Sequence, residues 1–313
     1  MALDRLYRRE FTLAFILSAL LTLALFYSTF EIPVILDKIL VEYFPEVFFD
    51  VEAIEKVLSI LRPIGYTAFT VVVILIILGF IVKKISLAFL GSIALYIPIF
   101  SYFAFAMFFL TGLGVLRSLW LPIIELSPSI LKLGSIVYLP FSIVPYAPTV
   151  GMVIVFIGLS IFSFSTTTWL YGRFRSYELM DFWIYRYSRH PQYLGYILWS
   201  YGLLVFVSYK TYVRGAFTTP PALLWLIITM IVIGVALLEE LKMIKKYGER
   251  YEEYRRRTPF MIPLPKPLTK IITLPMKIVG ECLKNTKEIV AVIILYTTII
   301  IAISYITTLI LEI

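Results

Sequence analysis

The single histidine of the chain stands in the string Arg189-His190-Pro191-Gln192-Tyr193-Leu194-Gly195, and an acidic pair, Glu239-Glu240, follows 49 positions after it. An imidazole and two carboxylates gathered in one place can take up a proton or hold a polar ligand. They meet only if the chain between them turns back on itself. The separation suits that, because it is about one round trip through a membrane. A polar cluster split across two hydrophobic segments, and reassembled on one membrane face, is the chemistry to look for.

The elements that must position it are read from composition. With 60% hydrophobic and 15% charged residues over 313 positions and a mean hydropathy of +0.92, the chain is not an ordinary soluble domain. A helix needs roughly 20 apolar residues to cross a bilayer core of about 30 Å. Seven runs qualify: residues 11–30, 64–82, 85–110, 148–170, 192–208, 220–238 and 289–310. The stretch 134–147, with Pro140 and Pro145, has less claim to span and suits the interface. Uninterrupted apolarity leaves no alternation for barrel strands, so the expected fold is all-α, a polytopic bundle of about seven transmembrane helices with a cytoplasmic cofactor pocket at a helix hairpin.

Charge supplies the orientation. With Arg5, Arg8 and Arg9 cytoplasmic, seven spans put 21 of the 28 Lys and Arg residues inside, which obeys the positive-inside rule. The expected location is the cell membrane, with the amino terminus and the active site cytoplasmic. The net charge of +8 then points to anionic membrane lipids and not to nucleic acid. Cys282 stands alone, so no internal disulfide forms, and one His with one Cys makes a metal site unexpected. A single Asn, Asn285, and a single Gln, Gln192, beside abundant Ile, Glu, Lys and Arg, suggest a thermophilic source.

Three parts are expected. Residues 1–147 form an amino-terminal transmembrane bundle with an acidic external segment and no catalytic motif. Residues 148–263 hold the motifs, and residues 264–313 hold a Lys-bearing amphipathic segment and the last span. Within the middle part, proline suits the first helical turn and the residue before it avoids the helical region, so a helix should begin at Pro191 with His190 at its mouth. Unsatisfied amides and the helix dipole make such a mouth attractive to an anion. The spacing predicts a helix over 192–208, a turn over Tyr209 to Thr219, and a return helix from Pro220 that delivers Glu239 and Glu240 beside His190.

Projection at 100° per residue sorts the two acids. Met243, Ile244, Tyr247, Tyr251 and Tyr254 share one stripe with Glu240 near its centre, while Glu239 lies toward the edge and Lys242, Lys245, Lys246, Glu249, Glu252, Glu253 and Arg256 occupy the other face. Glu240 thus faces the packed side and needs a partner, either Arg189 or a ligand's ammonium or hydroxyls. Gly248 is positioned to interrupt the helix.

The string Tyr185-Arg186-Tyr187-Ser188-Arg189-His190-Pro191-Gln192-Tyr193-Leu194-Gly195, then a hairpin, then Glu239-Glu240-Leu241 with Tyr247-Gly248, Tyr251, Tyr254, Arg255 to Arg257, Pro259 and Pro263, resembles the isoprenylcysteine carboxyl methyltransferase and phospholipid methyltransferase family. The resemblance covers residues 148–263, a little over a third of the chain. It implies an integral membrane enzyme that moves a methyl group from S-adenosylmethionine to a lipid-like acceptor, either a prenylcysteine-type carboxylate or a phospholipid amine. It further implies that Arg189, His190, Tyr193, Gly195, Glu239 and Glu240 line the cofactor pocket and that Tyr247, Tyr251 and Tyr254 help cover it. Glu240 and His190 are the candidate catalytic groups, as bases for an amine acceptor. One departure stands out: the family often has glycine two places before the tyrosine matching Tyr185, and this chain has Trp183.

Two other classes compete. Sterol reductases carry a related Arg-His motif and bind NADPH in a similar hairpin, but Pro191 and the Glu239-Glu240 pair favour the methyltransferase. A transporter or non-catalytic scaffold is the other; charged residues inside spans mark transport paths, and the seven runs contain no Asp, Glu, Lys or Arg.

Overall fold

The computed structural model describes residues 2–43, 51–94, 118–125, 130, 132–142, 144–208, 222–279 and 283–311. The described residues form helices: α1 (Ala2–Tyr43), α2 (Val51–Ile81), α3 (Ile85–Ala94), α4 (Ala147–Phe174), α5 (Pro191–Ser208), α6 (Ala222–Tyr247), α7 (Glu249–Arg257), α8 (Lys266–Thr273) and α9 (Thr286–Leu311), with short helical turns between them. Among the described residues there is no strand, which matches the expected all-helical class.

Five stretches are long and apolar enough to cross a membrane: Arg8–Thr29, Glu55–Ile81, Ala147–Phe174, Ala222–Tyr247 and Thr286–Ile310. They mark a membrane protein. Two of the seven expected spans stand apart from these five. The run 192–208 folds as α5, a helix of 18 residues. The run 85–110 is described only as far as Ala94, and its remainder lies outside the described residues, as do the expected turn at 209–219, Pro220 and Cys282. The stretch 134–147 does not span. It forms short turns at Lys132–Val137 and Leu139–Ser142 and then opens α4. Tyr201 donates from α5 to the Val137 carbonyl at 2.6 Å, and Ser135 meets Ser304 of α9 at 3.2 Å.

The core is built round α6, of whose most apolar window 67% is buried, against 28% or less for the other four spans. Leu224, Trp225 and Ile228 of α6 pack with Trp199, Leu203 and Leu204 of α5, and Val72 and Ile76 of α2 join the same core. The indole of Trp225 donates to Ser200 at 3.1 Å, which satisfies both polar atoms inside the bundle.

Helices α4 and α5 touch backbone to backbone. Gly151 and Gly158 on α4, and Gly195 and Gly202 on α5, are each seven residues apart, so each pair recurs on one face. A Cβ at Gly158 would lie 2.3 Å from the Trp199 amide nitrogen, and one at Gly202 would lie 2.6 Å from the Gly151 carbonyl oxygen. Small residues permit this approach, which gains van der Waals contact in a solvent as apolar as the side chains themselves. On the other side of α4, Ser18 of α1 donates to the Ser163 carbonyl at 2.6 Å, and Arg175 pairs with Glu10 at 3.2 Å. At the far end, Asn285, the one asparagine, caps α9: its side-chain oxygen accepts from the Glu288 amide at 3.0 Å and its side-chain amide donates to the Glu288 carboxylate at 2.7 Å.

Candidate functional site

Helix α5 begins at Pro191, as its ring and the extended preference of the residue before it require, and the Leu194 amide closes the first turn on the His190 carbonyl at 3.0 Å. Helix α6 returns and brings its two acids to that mouth. His190 Nε2 lies 3.2 Å from Glu240 Oε1, and Arg189 Nε lies 2.8 Å from the same oxygen. Tyr193 donates to Glu239 Oε1 at 2.8 Å, while His190 Nδ1 stands 3.8 Å from Glu239 Oε2. The imidazole is thus flanked by both carboxylates.

The acids differ in burial in the way the helical projection anticipates. The side chain of Glu240 is 8% exposed and that of Glu239 is 34% exposed. Of the partners considered for Glu240, the structure supplies Arg189. Burial pulls the Arg189 guanidinium below its ordinary pKa, and the Glu240 carboxylate opposes that shift.

A second layer covers the cluster. Helix α6 stops at Tyr247 because Gly248 adopts φ 55°, ψ −131°, where a side chain would be strained. Helix α7 then folds back with Glu249 and Glu252 in its first turn and Arg255 to Arg257 in its last, matching the helix dipole. Tyr251 and Tyr254 turn inward against Leu179, Met243, Ile244 and Tyr247, which fulfils the expected stripe. Tyr254 donates to the Tyr185 carbonyl at 2.7 Å, and burial raises the hydroxyls of Tyr185, Tyr251 and Tyr254 above the usual phenol pKa.

Past α7, Thr258 is extended ahead of Pro259, and the chain becomes a strap across the mouth of α5. The amides of Arg189 and His190 donate to the carbonyls of Pro259 and Phe260 at 3.0 and 3.2 Å. Arg189 Nη1 donates to the Arg255 carbonyl at 2.9 Å, its guanidinium carbon lies 5.7 Å from the Phe260 ring centre, and that ring meets His190 edge-on at 5.0 Å. Main chain therefore occupies two amides at the mouth that sequence reasoning left to an anion. The strap went unanticipated because backbone carbonyls carry no residue signature; Pro259 was its one trace.

Of the expected site residues, the structure gathers Arg189, His190, Tyr193, Glu239 and Glu240, and it sets Tyr247, Tyr251 and Tyr254 in the covering layer. Gly195 sits elsewhere, in the contact with α4, where a Cβ would lie 2.6 Å from the Phe162 amide nitrogen. The departure at Trp183 has a conformational meaning. Trp183 has φ 47°, in the left-handed region that glycine adopts freely and a bulky residue does not. Its ring stacks on Tyr171 at 5.0 Å and meets Phe11 of α1 edge-on at 5.5 Å, contacts that offset the backbone cost.

A family model described as "Protein of unknown function (DUF1295)" matches residues 141–258. The matched segment runs from the end of the short turns before α4 to Thr258 and contains His190, Glu239, Glu240 and all of α7. No curated protein and no solved structure matches the chain.

Proposed function

We propose that the protein is a membrane methyltransferase that uses S-adenosylmethionine and acts on a lipid-like acceptor at the cytoplasmic face. The observation that carries the reading is the assembly of Arg189, His190, Tyr193, Glu239 and Glu240 at the mouth of a membrane hairpin, with contacts of 2.8 to 3.2 Å between residues some fifty positions apart. Ionisable groups buried where a span ends are costly and mark function by default.

The donor set suits the cofactor. Glu239, a third exposed, is an acceptor for ribose hydroxyls or an ammonium group, and Arg189 and His190 are the cationic and hydrogen-bonding groups for a carboxylate. Ser188 beside them is buried with a hydroxyl that has no hydrogen-bond partner, which leaves a polar position for a ligand atom. When bound, S-adenosylmethionine supplies an electrophilic methyl group on a sulfonium. The residues have to align and desolvate the reactants, and no nucleophilic side chain is called for. A prenylcysteine-type carboxylate is ionised at neutral pH and needs no base. A phospholipid amine must lose a proton, and His190, hydrogen-bonded to Glu240, is then the group to accept it.

The test incubates the full chain in lipid nanodiscs with isotopically labelled S-adenosylmethionine and either a prenylcysteine analogue or total lipid extract. Label in an amphiphilic product supports the proposal. Tight binding of NADPH with no binding of S-adenosylmethionine would replace it by the reductase reading.

A further inference from the structure

The charged groups around His190 are paired with one another, while a buried hydroxyl among them is not. Glu240 is held by Arg189 and His190, Glu239 by Tyr193, and Tyr254 by the Tyr185 carbonyl. The Ser188 hydroxyl, in a residue only 3% exposed, has no partner. A buried hydroxyl without a hydrogen bond costs free energy that an alanine would not incur. A second hydroxyl, that of Thr166, is also buried and unpartnered, but it lies inside α4, where rotation brings it to the carbonyl four residues back. Ser188 also follows a helical turn, but the carbonyls within its reach are taken: that of Ile184 accepts the amides of Tyr187 and Ser188 at 3.1 and 3.3 Å, and that of Tyr185 accepts the Tyr254 hydroxyl. The residue lies between the turn Trp183–Arg186 and the start of α5, next to Arg189 and two residues from the imidazole.

We infer that the Ser188 hydroxyl is a ligand-binding group of this site, which makes its hydrogen bond to a polar atom of S-adenosylmethionine. The inference rests on the functional reading above and adds to it a residue that the resemblance does not assign to the pocket. It accounts for a hydroxyl that destabilises the ligand-free fold. That cost is recovered when the ligand arrives.

The sign of two measurements on Ser188→Ala tests it, made on the full chain in nanodiscs. Thermal unfolding without ligand should occur at the wild-type temperature or above, because the variant loses an unsatisfied group. The Kd for labelled S-adenosylmethionine should rise about three- to tenfold, the worth of one neutral hydrogen bond, and that for S-adenosylhomocysteine should rise alike, because the contact does not involve the methyl group. Unchanged Kd values in a variant whose parent binds both ligands overturn the inference alone, as does a clear fall in unfolding temperature, which would give the hydroxyl a structural partner. Failure of the wild-type protein to bind either ligand overturns the functional reading and the inference together.

Discussion

The Arg189 guanidinium and the Glu240 carboxylate are each about nine-tenths buried and 2.8 Å apart, so losing one strands the other. Glu240→Gln should therefore destabilise the protein by about 3 kcal/mol, the range for breaking a buried pair, as well as weaken ligand binding. Thermal unfolding of Glu240→Gln beside a double variant lacking both charges checks this, with the double variant expected to recover stability. His190→Ala leaves the ion pair in place and is the cleaner probe. It should lower the unfolding temperature less than Glu240→Gln does and lose S-adenosylmethionine binding, measured by equilibrium binding of the labelled compound. Retained affinity would move the pocket away from His190. At Trp183 the backbone and the ring pull in opposite directions. Trp183→Gly and Trp183→Ala lose the same stacking, but only glycine is at ease at φ 47°. The glycine variant should be the more stable of the two by about 1 kcal/mol, and equal stability would count against a left-handed backbone there.

At the scale of elements, the hairpin depends on the glycine seam between α4 and α5. Gly195→Ala would set a methyl group 2.6 Å from a main-chain nitrogen, which no side-chain rotation can relieve, so the helices must part. Gly248→Ala meets nothing within 4 Å and bears only the cost of its positive φ. Thermal unfolding in nanodiscs should show a larger loss for Gly195→Ala than for Gly248→Ala. Reversal of that order would dissolve the seam as a structural account. The sequence made parts of this hairpin legible. Pro191 announced the start of α5 through its fixed φ, and a 100° projection separated buried Glu240 from half-exposed Glu239. The packing of Gly195 was not legible, because a glycine beside a motif looks the same whether it admits a ligand or another helix. The strap was hidden for a related reason: its carbonyls would bond the same amides whatever side chains they carried.

For the whole molecule, the positive-inside rule sets an expected orientation. With the amino terminus cytoplasmic, Cys282→Ser combined with Glu42→Cys, near the end of α1, should react with a membrane-impermeant thiol reagent applied outside intact cells, and Cys282→Ser with Arg5→Cys should not. The reverse pattern would put the amino terminus on the outer face. Helix class was legible in the apolar runs, and the count of spans turns on the run 85–110, most of which lies outside the described residues. The run 192–208 is α5, an 18-residue helix packed against α4, and five other helices have the length and apolarity of spans.

Both carboxylates of the site stand near the end of α6, the span with two-thirds of its most apolar window buried among the described residues, whereas 28% or less is buried in the other four. A thinner or thicker bilayer acts by tilting helices that lipid surrounds. Helix α6 is sheathed by its neighbours, and the seam fixes α5 to α4 by main-chain contact. The spacing of His190 and Glu240 is thus insulated from hydrophobic mismatch, and the site should keep its shape in membranes of differing thickness while the helices at the periphery adjust.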